Sequence, residues 1–248
     1  ISFFIQKDVK FTKMKFDYNA NVIDFKAGTI IIAGSGPGSE KLITLKVYYA
    51  LKTADVVIYD ALVNPKFIDY CKENVKRIYA GKTGSKRACS QEQINDWLVK
   101  YAKKNKKVLR LKGGDVSFFS RGSQEIDFLK RNEIKFQIFS GLTASQSAMK
   151  SINQEFISNG KCCNFITGHK KISKKFKEIN FKNLVSNRGK IVIYMGVSQI
   201  KSISEKLINQ GMKRDTKITI VSNSSLNNLS IHQTNLGKIS QLVDKSSI

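Results

Sequence analysis
The segment Thr29 to Ser39, TIIIAGSGPGS, constrains this chain most tightly. Three β-branched isoleucines, Ile30 to Ile32, run straight into the glycine-rich turn Gly34-Ser35-Gly36-Pro37-Gly38. A buried strand that delivers its carboxyl end into a glycine loop is how α/β proteins build a ligand crevice, because a loop poor in side chains lets backbone amides approach a ligand. The residues that follow, LITLKVYYALKTADVVIYDALV, read as a helix and then a second buried strand, Val56 to Tyr59. The dinucleotide fingerprint G-x-G-x-x-G fails here, because counting from Gly34 places Ser39 where the third glycine belongs. Pro37 also stiffens a loop that would have to lie over a pyrophosphate. The spacing leaves two readings, a small-molecule crevice that is not a nicotinamide site and a purely structural turn.

The remaining chain repeats the same unit. Strands are expected at Val75–Tyr79, Val108–Lys112, Phe136–Phe139, Cys163–Thr167, Lys190–Met195 and Lys217–Val221, with helices between most of them. Ser39 and Thr44 are candidate caps for the first helix, and Ser90 with Gln93 has the pattern of a capping box. The strands end in small polar residues: GSGPG, YD, AGK, KGGD, SG, TGH and MG. The expected fold is therefore two α/β domains with mainly parallel sheets, residues 28–155 and 160–248, preceded by a lysine-rich tail over 1–27.

Composition bounds the function. With 41% hydrophobic residues and 10% aromatics, a chain of 248 residues can fill a proper core. No apolar run approaches the roughly 20 residues that cross a bilayer, so no membrane partner is expected. The opening ISFFI is too short for a secretory core. Cys71, Cys89, Cys162 and Cys163 form no C-x-x-C pair, which speaks for a reducing cytoplasmic setting and against a metal centre. The formal net charge of +24 invites a nucleic-acid partner, but only 7 of the 43 basic residues are arginine. Arginine is the residue favoured for bidentate base and phosphate contacts. No specific nucleic acid is expected, and a polycarboxylate small molecule meets the charge equally well.

The segments AGSGPGSEKLITLK, ALKTADVVIYDALV, RLKGGDVSFFSRG and SGLTAS resemble the tetrapyrrole methylases, over about Thr29 to Gln199. TADVVIYDALV, the AGK after the third strand and the helix start Gln91-Glu92-Gln93-Ile94 place the resemblance nearest the members that methylate uroporphyrinogen III. The resemblance implies two α/β domains with S-adenosylmethionine held in the cleft between them, S-adenosylhomocysteine as product, and a homodimer. It implies methyl transfer to two ring carbons of uroporphyrinogen III, giving precorrin-2 on the way to sirohaem and cobalamin. A methylase of another precorrin and a ribosomal RNA methyltransferase of the same fold are the alternatives.

Carried over position by position, the resemblance assigns the cofactor to Pro37, Gly113, Gly114, Asp115, Phe118, Thr143, Ala144, Met195 and Ser224. It assigns proton acceptor to Asp60, proton donor to Lys82, and substrate binding to Arg121. The residue types suit the chemistry: ring-carbon methylation needs an aligned methyl group and a proton moved afterwards, which a carboxylate and an ammonium can do. Read on their own, Asp60 also fits a helix cap, Lys82 a solvated loop lysine and Asp115 the brace of its own turn, while Met195 fits the core as well as a cofactor contact. The chain departs from the family at Val116 and Ser140, where prolines are usual, and in a shortened QEFISNGK stretch.

Overall fold
A computed structural model describes residues 23–81, 89–120, 122–157, 162–168 and 179–245. Its main body is a five-stranded parallel sheet of β1 (Ile30–Gly34), β2 (Val56–Tyr59), β3 (Lys76–Tyr79), β4 (Val108–Lys112) and β5 (Phe136–Phe139), in the order β3-β2-β4-β1-β5. Alternation along each strand sorts the side chains onto two faces. Ile31, Ala33, Val57, Leu109 and Leu111 pack on α1 (Leu45–Thr53) and on the 3-10 turn Pro65–Tyr70. Ile30, Ile32, Val56, Ile58 and Val108 pack on α2 (Gln91–Lys103) and α3 (Gly122–Arg131). Right-handed crossovers explain the division, because connections that step left across the sheet put their helix on one face and connections that step right put it on the other.

The order of strands also fixes where a crevice opens. The connection leaving β1 steps over β4 to β2, and the connection leaving β4 steps over β1 to β5. Two adjacent strands whose connections part in opposite directions leave a gap at their carboxyl ends. Gly34 and Lys112, the paired last residues of β1 and β4, lie at that gap.

The second half departs from the expectation of another parallel sheet. β6 (Cys163–Thr167) and β7 (Lys190–Tyr194) pair in parallel, but β8 (Lys217–Ser222) and β9 (Ser230–Asn235) form a separate antiparallel hairpin. The sequence SIHQTN carries little apolar signal, so β9 was not legible; in a hairpin only one face needs to be apolar. α4 (Ala144–Ser151) follows β5, while α5 (Phe181–Ser186), α6 (Ile200–Asn209) and α7 (Ile239–Lys245) surround a small core built on Ile203, Leu207 and Leu236.

The caps are a second correction. Ser90 and Gln93 do make the reciprocal capping box that starts α2. Ser39 and Thr44 occupy N-cap positions without a side-chain cap bond, and the Thr44 hydroxyl donates instead to the Ser140 carbonyl at 3.3 Å. The segment from residue 65 is a 3-10 turn, with the Asn64 side chain accepting from the Lys66 N–H.

Candidate active site
Three loops from the carboxyl edge of the sheet lock together. Gly36 and Gly114 exchange backbone bonds, N–H to carbonyl, at 3.1 and 2.8 Å. The approach is so close that a Cβ on Gly34 would meet the Gly114 carbonyl oxygen and lie 2.9 Å from the Gly141 nitrogen. Asp115 ties the third loop in: Oδ2 accepts from the Gly141 N–H at 2.9 Å, while Oδ1 accepts from the N–H of Ser117 at 2.8 Å and from its hydroxyl. Asp115 thus braces its own turn and the loop after β5 together. Gly114 has φ +72, a left-handed value that disfavours any other residue, and among the described residues, its chain neighbours apart, no atom lies within 4 Å of where its Cβ would stand. That backbone faces open space.

Loops of the second half close over this edge. The Ser39 N–H donates to Ser225 Oγ at 3.1 Å, and a Cβ on Gly38 would touch Leu226 at 3.1 Å. Ser224 donates to the Ala144 carbonyl at 3.4 Å and accepts from Ser147 and Ser151 through its own carbonyl. Tyr194, the last residue of β7, donates to Ser145 Oγ and meets Thr143 Oγ1, both at 2.6 Å. Beside this junction, between the loops that follow β4 and β5 and strand β6, lies a cavity of about 360 Å³, lined by Ser117, Ser140, Thr143 and Ser145, by Asp115, and by Phe118, Phe156 and Phe165. Such a volume, with mixed apolar walls and a few convergent polar groups, suits a small organic ligand.

Asp60 stands at the end of β2, on the face shared by Val56 and Ile58, and its side chain is 29% exposed. It does not cap a helix. Oδ1 accepts from Arg110 Nη2 at 2.6 Å, and Lys112 Nζ lies 3.6 Å from Oδ2. Arg110 and Lys112 project from β4 on the face that α2 and α3 cover, and are 2% and 4% exposed. Behind both is Glu125 of α3, fully buried. Its Oε1 accepts from Arg110 Nε at 3.1 Å, from Lys112 Nζ at 3.1 Å and from Gln91 Nε2 at 3.2 Å. Burial opposes the charge on Arg110, yet Glu125 and Asp60 outweigh it and raise its pKa. For Lys112, burial and the neighbouring Arg110 prevail over the two carboxylates and the pKa falls below the usual lysine range.

The residues assigned from the resemblance sort as follows. Gly113, Gly114 and Asp115 lie on the interlocked loops, Thr143 and Ala144 cap and begin α4, and Pro37 lies between Gly36 and Gly38 on the loop that Gly114 pairs with. Phe118 is a cavity wall, with its ring 5.4 Å from that of Phe165 and 6.1 Å from that of Tyr194. Met195 follows Tyr194 with φ +52 and is 52% exposed, so it is not a core residue. Ser224 sits over the start of α4. Lys82 and Arg121 fall outside the described residues. The sequence reading missed Arg110, Lys112, Glu125, Gln91 and Tyr194. The missed signal was VLRLK: a central strand of a parallel sheet is usually apolar throughout, and this one alternates leucine with charge.

Interlocked glycine loops at the switch point of a parallel sheet, met by loops of the second half, define an α/β protein with a small-molecule crevice at its strand ends. Residues 29–240 match the family described as Tetrapyrrole (Corrin/Porphyrin) Methylases, and the chain belongs to that family. It is 39% identical over 196 residues to a uroporphyrinogen-III C-methyltransferase of Bacillus subtilis, covering 78% of this chain and 76% of that protein. It is 35% identical over 223 residues to a siroheme synthase of Psychrobacter arcticus, covering 89% of this chain but 40% of that protein. The chain therefore spans less than half the length of the siroheme synthases it matches. Among solved structures, cobalt precorrin-4 methyltransferase superposes with a TM-score of 0.76 at 21% identity, covering 88% of this chain and 89% of that one, a likeness of fold. The uroporphyrin-III C-methyl transferase of Thermus thermophilus, complexed with S-adenyl homocysteine, superposes with a TM-score of 0.73 at 25% identity, covering 89% and 93%.

Proposed function
We propose that the chain is an S-adenosylmethionine-dependent C-methyltransferase that converts uroporphyrinogen III to precorrin-2. The observation that supports this reading is the locking together of the 34–39, 113–115 and 140–141 loops, with the 222–226 turn bonded to Ser39, beside a cavity walled by Asp115, Phe118, Thr143 and Phe165, and with Asp60 on a neighbouring strand end. The kinship with the Bacillus subtilis and Thermus thermophilus enzymes supports the substrate and the cofactor.

The residues fit the cofactor. Gly114 leaves backbone bare toward open space, hydroxyls line one wall, and Phe118 and Phe165 supply apolar faces. Pro37, Gly113–Asp115, Thr143, Ala144, Met195 and Ser224 are the residues that would hold S-adenosylmethionine, which supplies an electrophilic methyl group on a sulfonium. The chain's own part is to align that methyl group with a ring carbon, exclude water and receive the proton released. Asp60 is the acceptor in this reading, with Lys82 as donor and Arg121 as a counter-charge for the substrate carboxylates. A division into domains at 28–155 and 160–248, a homodimer, a cytoplasmic site of action and a place on the sirohaem and cobalamin branch belong to the same proposal. Among the described residues no helix is long and apolar enough to cross a membrane.

The experiment has two stages. Calorimetry should give a micromolar or tighter Kd for S-adenosylhomocysteine, about −8 kcal/mol; no heat at millimolar ligand overturns the cofactor assignment. Incubation with S-adenosylmethionine and enzymatically made uroporphyrinogen III should then produce the precorrin-2 chromophore. Cofactor binding without that product would move the assignment to another precorrin.

A further inference from the structure
Two cations and two carboxylates occupy the centre of the sheet: Arg110, Lys112, Asp60 and Glu125. Leucine at positions 110 and 112 would continue the pattern of β4 and avoid the desolvation of two buried cations. Replacing a buried ion network by packed apolar groups is often neutral or stabilising. The cluster is thus poorly explained by stability alone. Its position is specific, since every member converges on one end of β2.

We propose that Lys112 is a positioning residue for the Asp60 carboxylate, with Glu125 as the anchor that fixes the ammonium. This rests on the reading of Asp60 as the proton acceptor. Arg110 binds Oδ1 at 2.6 Å and fixes only one oxygen of the carboxylate. A carboxylate held by one oxygen can still pivot about that contact. Lys112 opposes the pivot from the other side, with its ammonium 3.6 Å from Oδ2. The ammonium cannot swing away, because Glu125 Oε1 accepts from it at 3.1 Å and the side chain is 4% exposed. Glu125 is in turn held by Arg110 Nε and by Gln91, at the first turn of α2. Among the described residues its buried Oε2 has no hydrogen-bond partner, so the contacts of the anchor run through one oxygen shared by three donors. Lys112 does not touch the reacting atoms in this assignment; it acts through Asp60.

The charges permit a clean test. Asp60→Asn alone leaves a buried excess of positive charge, and Lys112→Met alone leaves an excess of negative charge. The double variant leaves Arg110 and Glu125 as a balanced pair, already in contact at 3.1 Å. Methyl transfer from radiolabelled S-adenosylmethionine to uroporphyrinogen III is measured for the full chain and for all three variants, together with S-adenosylhomocysteine affinity and melting temperature. Lys112→Met should lower kcat about 10²-fold, the scale of a misplaced catalytic group, with affinity within threefold. In the Asp60→Asn background the same change should alter kcat less than threefold and raise the melting temperature. Should Lys112→Met not fold, Lys112→Gln, which keeps a neutral donor, takes its place in the cycle. Unchanged kcat in the lysine variant, or losses that multiply in the double variant, overturns the positioning role while leaving Asp60 as acceptor. Full activity in Asp60→Asn overturns both assignments.

Discussion
Asp55 and Asp60 stand at opposite ends of β2 and are held in opposite ways. Asp55 uses both oxygens on near neighbours, accepting from Lys72 Nζ at 2.7 Å and from the Lys107 N–H at 2.8 Å. Among the described residues Asp60 has one strong side-chain contact, to Arg110, and its Oδ2 lies beyond hydrogen-bond distance of Lys112. The same contrast runs along the whole sheet. The amino-terminal edge is closed by backbone bonds such as Gly28 to Lys106 and Lys76 to Asp55. At the carboxyl edge the glycine loops are tied to one another and leave Gly114 facing space. A sheet of this kind keeps its rigidity at one end and its unsatisfied chemistry at the other. That is what lets a loop set vary without loss of the fold.

The largest expected effect breaks the comparison at the two aspartates. Asp60→Asn should reduce the methylation rate by about 10²–10⁴-fold, the usual contribution of a general acid–base group. Asp55→Asn should leave kcat within about twofold, because it stands at the end of β2 opposite the proposed site. Steady-state rates of the two variants, side by side, decide this; equal losses would erase the distinction between the edges.

Next in size is a pair of glycines on the carboxyl edge. Gly34→Ala drives a methyl group into Gly114 and Gly141, and should cost about 1–3 kcal/mol, the cost of overpacking. Gly114→Ala meets no protein atom and bears only the strain of its positive φ, about 1–2 kcal/mol. In the proposed site Gly114→Val should nevertheless abolish S-adenosylhomocysteine binding. Thermal melts and calorimetry should therefore rank the two positions oppositely for stability and for affinity.

Smaller again is Tyr194→Phe, which removes the hydroxyl shared with Thr143 and Ser145. A loss of about 1–2 kcal/mol in chemical denaturation is expected, with weaker cofactor affinity if the second half must be held against α4. The smallest effect sharpens the picture of the closed edge. Burial pushes the Asp55 carboxyl up, but Lys72 and the Lys107 N–H pull it further down, so its pKa in the fold lies below that of the unfolded chain. A lowered pKa contributes stability above the unfolded value, about 4, and loses it as pH falls through the folded one. Asp55→Asn should therefore cost about 0.5–1 kcal/mol at pH 7, and the cost should fade below about pH 4. A cost independent of pH would show that the pairing is not electrostatic.

What the sequence determined by itself was local. A run of β-branched residues ending in glycine set β1, the helical spacing of Ile94, Trp97, Leu98 and Tyr101 set α2, and Ser90 with Gln93 set its start. The family resemblance pointed to Pro37, Gly113–Asp115 and Thr143, which the fold brings to neighbouring strand ends. What only the tertiary structure decided was which charges meet. Asp60 and Arg110 are 50 residues apart, and they touch because β4 inserts between β2 and β1 instead of following β3 outward. Glu125 reaches them from α3, which a right-handed crossover places on that face. The antiparallel β8–β9 hairpin escaped for the same kind of reason, since β9 is polar in sequence and its pairing with β8 is an interaction between segments. Propensity and periodicity are properties of neighbours along the chain, whereas burial of a charge depends on strand order.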